Sequence, residues 1–255
     1  MSPLAMSCIA FACILGGALV GMFLRNRVPE HHLSADTKEV VRLGTGVIGM
    51  IAAVVLGLLI ASAKSAYDTQ STQIKQITAN FILLDLVLRQ YGPQAHAARD
   101  QLRRGVGALA DRIWSEGSSD SATAGPFEVT GASDAFYEKL RELSPSNDAQ
   151  RSLKAQAIQI TSDLTRTRLL LFTQLGNSIP MPFLVVLVFW LTIIFASFSL
   201  FAQANAIALG SLLLFALSAA GSIFLILELG HPFEGLMQIS SEPLRNALAP
   251  LGASA

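Results

Sequence analysis

The chain of 255 residues carries 18 lysines and arginines against 18 aspartates and glutamates, so its formal charge is zero and no basic surface for nucleic acid is expected. Hydrophobic residues make up 52% of the chain and charged residues 14%, whereas about 25% of an ordinary soluble domain is charged. This composition argues against a soluble globular protein. It predicts an all-α integral membrane protein.

Four long uncharged stretches account for the hydrophobic excess, and each is long enough to cross a hydrocarbon core of about 30 Å as a helix. They are residues 4–24, 43–63, 181–201 and 206–227. The first could instead be a cleaved signal peptide, but its apolar run exceeds the usual length and no small-x-small cleavage site precedes Arg25. We therefore predict four transmembrane helices, the last two joined as a tight hairpin.

The spacing of the spans predicts how the chain is organised. Residues 1–64 form transmembrane helices 1 and 2, and residues 65–179 form a helical domain outside the membrane. Residues 180–229 form helices 3 and 4, and residues 230–255 are a C-terminal tail. Lysines and arginines near the span ends divide almost evenly between the two sides, so the positive-inside rule leaves the orientation open.

The second span is expected to continue beyond Lys64 as an amphipathic helix that ends at Gly92-Pro93. Its apolar residues follow heptad spacing: Tyr67, Ile74, Ile77, Phe81, Leu84, Leu88 and Tyr91. Such a seam can bury against helices of its own domain or against the same helix in neighbouring subunits. The sequence alone leaves both open.

The rest of the inserted domain is also expected to be helical. One helix spans residues 94–114, a short one follows a loop at residues 117–126, and a last one begins near Asp148 and runs towards the third span. Their predicted core residues are Leu102, Val106, Leu109, Ile113, Phe136, Leu140, Leu143, Leu153, Ala157, Ile160, Leu164 and Leu171.

Metal, cofactor and enzyme chemistry lack support in the sequence. Cys8 and Cys13 lie on different faces of the first span, and the four histidines lack the spacing of a zinc site. Residues 44–49 match G-x-G-x-x-G, but a dinucleotide-binding loop needs a preceding strand, and this match opens a membrane helix. No nucleophile, base and orienting group recur at workable spacing, so we expect no enzyme and no cofactor.

Small residues recur along the second span with a period of four, and we expect them to pack against another helix. They are Thr45, Gly49, Ala53, Gly57 and Ala61. A neighbouring face carries large apolar groups and ends in a hydroxyl: Ile48, Ile51, Val55, Leu58 and Ser62. In a ring of subunits that face could form a hydrophobic constriction that gates by dewetting, although lipid or another helix would satisfy it equally well.

Three polar residues stand where the last span ends. Glu228 directly follows the apolar run, His231 comes three positions later, and Glu234 lies just beyond Pro232. An ionisable residue at a membrane boundary is a candidate functional site. These groups could hold a cation, bind the head of a lipid, or mark an interfacial helix end.

Two stretches of the chain resemble signature sequences of bacterial bestrophin-like membrane proteins, a domain family of unassigned function. They are LGTGVIGMIAAVVLGLLIASAKSAYDTQ at residues 43–70 and LELGHPFEGLMQISSEPLRNAL at residues 227–248. The resemblance covers essentially the full chain. It implies a distant relation to bestrophins, which are pentameric anion channels whose second transmembrane helix lines the pore and whose helical domain is cytosolic.

The resemblance also implies that the protein lies in the bacterial inner membrane and that its helical domain is cytoplasmic. The aromatic and isoleucine neck motif of bestrophins is not recognisable in residues 44–63, and by position Ile51, Val55 and Leu58 would form the neck. The leading hypothesis is a homo-oligomeric ion channel in the lipid bilayer, with a permeant inorganic ion of either sign. The alternative is a non-conducting membrane scaffold or sensor whose helical domain recruits a cytosolic partner.

Overall fold

The computed structural model describes residues 2–25, 27, 35–115, 131–175, 181–202 and 205–247. Its helices are α1 (Pro3–Arg25), α2 (Ala35–Tyr91), α3 (His96–Ser115), α4 (Gly131–Glu142), α5 (Asp148–Leu175), α6 (Met181–Phe201), α7 (Ala206–Leu229) and α8 (Glu242–Asn246), with a 3₁₀ turn at Pro93–Ala95. These ranges contain no strand, which confirms the all-α prediction. The loop predicted at residues 117–126 lies outside them.

Four helices of the described ranges, α1, α2, α6 and α7, are long and apolar enough to cross a membrane. They coincide with the four predicted spans. The largest difference is in α2, which begins at Ala35, well before the predicted span, and continues without interruption to Tyr91. The predicted stop at Gly92-Pro93 is confirmed, because Gly92 has a φ of 109° and Pro93 opens the 3₁₀ turn.

The chain divides into two compact units. The first, which we call the span unit, comprises Met1–Ala66 and Ser178–Gly230, and the second, the helical unit, comprises Tyr67–Asn177 and His231–Ala255. α2 contributes its first part to the span unit and the remainder to the helical unit. The tail was predicted as a segment of its own, whereas in the structure it groups with the helical unit.

The span unit is held together by close packing of α1 against α6. A Cβ atom on Gly17 would lie 2.6 Å from Thr192 Cγ2, and one on Gly21 would collide with the carbonyl oxygen of Ala196 and lie 3.0 Å from Ser199 Cβ. Only glycine lets two backbones approach this closely, as in small-xxx-small pairs of membrane helices. Residue numbers rise together along both helices, so α1 and α6 run in the same direction.

A single hydrophobic core joins the elements of the helical unit. The heptad residues of α2 lie in it: Tyr67 is partly buried, and Ile74, Ile77, Phe81, Leu84, Leu88 and Tyr91 are at most 4% exposed. The predicted core residues of α3, α4 and α5 pack in the same cluster. The seam is therefore buried within its own domain, which decides between the two alternatives left open by the heptad pattern.

The tail contributes to this core as well. Phe233, Ile239 and Leu244 are buried in it, and the indole Nε1 of Trp114 donates a 2.9 Å hydrogen bond to the carbonyl oxygen of Ile239. The Trp114 and Phe233 rings meet edge to face, with centroids 5.7 Å apart. Because aromatic pairs favour this geometry, the tail is fixed on α3 through one side-chain cluster.

Candidate functional site

We call the part of α2 that belongs to the span unit, residues 35–66, its membrane half. It presents one narrow face to its own chain. Thr45, Ala52, Leu59 and Ala63 are buried, at 6%, 3%, 8% and 2% exposure. The first three repeat every seven residues, which keeps them on one side of a helix. The remaining surface of this half of α2 is half-buried or exposed in the single chain.

The predicted pore residues border that buried face. Ile51 and Leu58 are 47% and 68% exposed, Val55 and Ile48 are half-buried, and Ser62 is exposed. Ile51 and Leu58 are seven positions apart, as are Ile48, Val55 and Ser62, so the five residues lie in one stripe along the helix. The stripe is apolar except for the hydroxyl of Ser62, and its role as a pore lining stays a prediction.

The small-residue line is buried at its beginning and exposed along its later part. Thr45 is buried, and a Cβ on Gly49 would lie 4.0 Å from Ile194 Cδ1 of α6. Ala53, Gly57 and Ala61 are exposed, and a Cβ on Gly57 would meet no atom within 4 Å. A period of four advances about 40° per step on a helix of 3.6 residues per turn, so the line rotates away from its own chain. Packing along its later part stays a prediction.

The glycines of the G-x-G-x-x-G match lie inside α2, far from its first turn. Their backbone N–H groups therefore take part in the ladder of the helix and cannot cradle a phosphate, as a loop before a helix N-terminus would. This geometry agrees with the prediction that the match is not a nucleotide site.

The three polar residues at the end of α7 occupy different environments. Glu228 lies in the last turn of α7 and is 3% exposed. His231 and Glu234 are half-buried in the helical unit, where the Glu234 N–H donates to the His231 carbonyl oxygen at 3.1 Å. The Ile239 N–H donates to the Pro232 carbonyl oxygen at 2.7 Å and closes the loop that carries them. Their contact with an ion or lipid stays a prediction.

No group of three or more histidine, cysteine, aspartate or glutamate side chains that could hold a metal ion occurs in the described part of the chain. The two cysteines are free and exposed on α1.

Sequence reasoning missed a buried ion pair of the helical unit. Arg99 of α3 donates to Asp85 of α2 from Nε at 2.7 Å and from Nη2 at 3.2 Å, and both side chains are less than a tenth exposed. It also missed the amide pair in which Gln73 Nε2 donates to Gln174 Oε1 at 3.1 Å, joining α2 to α5. The Asp85–Arg99 pair had a signal in the sequence, because Asp85 places a charge on the otherwise apolar face that carries Leu84 and Val87.

The close approach of α1 and α6 was missed too, although its signal is visible. Gly17-x-x-x-Gly21 is a small-xxx-small pattern inside the first span. In the single chain, this pair of the first span brings two backbones together.

Comparison with known proteins supports the resemblance seen in the two signature stretches. Residues 12–244 match the model of the bestrophin-like domain family. No curated protein and no solved structure was found to match the chain. Since the family match covers most of the sequence, and four described helices are apolar enough to span a bilayer, the chain belongs to the bestrophin-like family of membrane proteins.

Proposed function

We propose that the protein is one subunit of an oligomeric ion channel, in which the membrane half of α2 lines an axial pore. By analogy with bestrophins, the ring contains five copies, sits in the bacterial inner membrane and carries the helical unit on the cytoplasmic side. The protein acts by permeation rather than by catalysis. Membership of the bestrophin-like family supports the channel class.

The observation that carries the proposal is the poor coverage of α2 within its own chain. Only 17% of the most apolar stretch of α2 is buried, against 33% in α1, 28% in α6 and 44% in α7. A helix with so little of its surface packed internally has most of it left for neighbouring copies, lipid or an aqueous path. In a ring, one side of α2 faces the axis and the other sides face adjacent subunits.

The stripe of Ile51, Val55 and Leu58 would form the narrow part of that pore. Aliphatic side chains around an axis expel water when the opening is small, and ions then cannot pass because they would lose their hydration. No charged residue lies between Leu43 and Ala63, so this constriction would gate permeation without selecting the sign of the ion. Residues outside it would supply the selectivity.

For the part of α2 in the helical unit, from Tyr67 to Tyr91, the heptad pattern had left packing against neighbouring subunits open. Because Ile77, Leu84 and Leu88 are buried in their own domain, they are not available to line a vestibule or to pair with other copies. The opposite face carries Ile82, Leu83 and Leu86, which are 49%, 47% and 37% exposed. That exposed strip would instead meet solvent, a neighbouring copy or another protein.

Conductance measurements on two neighbouring substitutions test the pore assignment. Leu58→Ala removes an exposed side chain of the stripe, whereas Ile60→Ala, two residues on and rotated by about 200°, removes one from the far side of the same helix. In planar bilayers with asymmetric salt, we expect Leu58→Ala to raise unitary conductance or open probability and Ile60→Ala to leave both unchanged. Equal currents in both variants and the unmodified channel would exclude Leu58 from the gate.

A second candidate function, a non-conducting scaffold or sensor, is favoured by the exposed strip of Ile82, Leu83 and Leu86. An apolar strip on an otherwise polar helix face is a common place for protein contact. Leu83→Glu would then abolish binding of a cytosolic partner to the purified full-length protein without changing the mass of the complex. A channel whose strip faces solvent would bind no such partner and would keep its currents in this variant.

A further inference from the structure

The helical unit contains a cavity that the proposed channel function does not use. It has a volume of about 40 Å³, is partly open to the surface, and lies among α2, α3, α4 and α5. Its apolar side is formed by Phe81, Leu102 and Leu164, and its polar side includes Tyr137, Thr165 and Arg168. A mostly apolar pocket with a few convergent polar groups is the usual form of a small-molecule site.

On α3, a glycine leaves part of this space open. A Cβ on Gly105, which lines the cavity, would meet no atom within 4 Å. Glycine inside a helix costs about 1 kcal/mol relative to alanine, so the open space comes at the expense of helix stability. Gly107, two positions on, also has open space around its Cβ position but does not line the cavity.

The polar side of the cavity is positively charged. Burial lowers the pKa of Arg168, and the positive charge of Arg112 lowers it further. The Arg112 guanidinium of α3 lies 5.3 Å from the centroid of the Phe172 ring, and Phe172 is one helical turn beyond Arg168 on α5. Arginine stays protonated at neutral pH despite such shifts, so two guanidinium groups act on this region and favour an anion.

The hydroxyl-bearing residues Tyr137 and Thr165 line the same cavity as Arg168. The Tyr137 hydroxyl lies 3.4 Å from Thr165 Oγ1, a long contact, while Thr165 Oγ1 itself donates to the carbonyl oxygen of Thr161 at 2.9 Å. The Tyr137 hydroxyl can therefore turn towards an acceptor in the cavity at little loss. A carboxylate at Arg168 would accept from the guanidinium and from this phenol.

We propose that this cavity binds a small monocarboxylate, with its carboxylate at Arg168 and its short alkyl part against Phe81, Leu102 and Leu164. A cavity needs about 10–15 Å³ to hold one water, so the space would take about three waters, or an acid of the size of acetate or propionate. The apolar wall favours this ligand over a halide, because a halide has no alkyl group to bury against it. The site is independent of whether α2 lines a pore.

Thermal unfolding of the full-length protein in detergent tests the site, with sodium propionate compared with sodium chloride at equal ionic strength. Because a ligand that binds only the folded state stabilises it, we expect a saturable rise in apparent Tm of about 4 °C at ten times the dissociation constant. Sodium chloride should give no saturable rise. An equal rise in both salts, or no specific rise with acetate, propionate or butyrate, would overturn the proposal.

Two glycine substitutions give a matched pair for the same measurement. Gly105→Leu fills the cavity and should abolish the response to propionate, whereas Gly107→Leu adds the same side chain to the same helix outside the cavity and should keep it. A full response in Gly105→Leu would place binding elsewhere on the protein.

Arg168→Gln provides a second route if Gly105→Leu fails to fold. It should weaken propionate binding at least about tenfold, because the charge-assisted hydrogen bonds are lost, while Arg168→Lys keeps the charge and should retain part of the affinity. Unchanged affinity in Arg168→Gln would contradict the assigned position of the carboxylate.

Discussion

Removal of the buried carboxylate of Asp85 should destabilise the helical unit strongly. Asp85 and Arg99 form two hydrogen bonds, at 2.7 and 3.2 Å, and their side chains are only 6% and 8% exposed. Asp85→Ala leaves the guanidinium buried without its counter-charge, a loss that costs about 3–5 kcal/mol in such pairs. At about 2–4 °C per kcal/mol for a domain of this size, we expect a fall in Tm of about 10 °C.

Intrinsic fluorescence can follow this transition because the chain has two tryptophans and only Trp114 lies in the helical unit. A Trp190→Phe background leaves Trp114 as the sole reporter of unfolding in the detergent-purified full-length protein. The control is Asp111, which accepts from Arg245 Nη2 at 2.8 Å in a pair that is more than half exposed. Asp111→Ala should cost less than about 1 kcal/mol and shift the Tm by about 3 °C at most.

Equal Tm shifts in Asp85→Ala and Asp111→Ala would refute the reasoning, since burial is the difference between the two pairs. A double replacement checks the mechanism further. Asp85→Leu combined with Arg99→Met removes both charges and fills the space with apolar groups, so it should recover most of the stability lost in Asp85→Ala. Failure to recover would mean that the shape of the ion pair, and not its charge, sets the packing.

Three further predictions concern packing and capping, each measured as the Tm of the full-length protein. Gly21→Ala should cost about 1–3 kcal/mol because its Cβ collides with the backbone of α6, whereas Gly16→Ala, in open space on the same helix, should be neutral or stabilising; equal effects would argue against the close contact. Phe233→Ala should cost about 3–5 kcal/mol through loss of a core side chain. Leu236→Ala, at a position 83% exposed, should stay within about 0.5 kcal/mol, and a large loss there would contradict the position of the tail. Asn205→Ala should cost about 1 kcal/mol because the Asn205 side chain accepts from the Ala208 N–H at 2.7 Å, and no loss would exclude it as a cap.

Periodicity predicted most of the fold because burial imposes it directly on the sequence. The heptad from Tyr67 to Tyr91 identified both the continuation of α2 and the face that enters the core. The long uncharged runs gave the spans to within a few residues, except at the beginning of α2. There the residues between Ala35 and Leu43 include charges, so the apolar run begins later in the sequence than the helix does.

Contacts between elements were harder to predict because they depend on which residues the fold brings opposite each other. Arg99 is one of many arginines, and nothing in its neighbourhood indicates that Asp85, on another helix, is its partner. The contact between Ile239 and Trp114 joins the tail to α3, and four of the described helices lie between the two residues in the sequence. The small-residue line of the second span was predicted to pack as a set, but helical rotation divides it between a buried beginning and an exposed later part.

For the candidate site, the sequence predicted which residues share a helix face but not how deeply each of them is buried. Leu58 and Ile51 lie on an exposed stripe of α2, and their role as a pore lining stays a prediction. Glu228 was identified as a polar residue at the end of the last span, and its burial could not be read from its position. The cavity at Gly105 and Arg168 has no sequence signature, because its walls come from four helices.

The central claim is that several copies surround one axis, and native mass spectrometry of the detergent-solubilised protein tests it most directly. We expect a complex of five 27.2-kDa chains that stays intact across mild detergents. A monomer or dimer under all of these conditions would leave no ring for α2 to line, and would contradict the assignment of the protein as a channel.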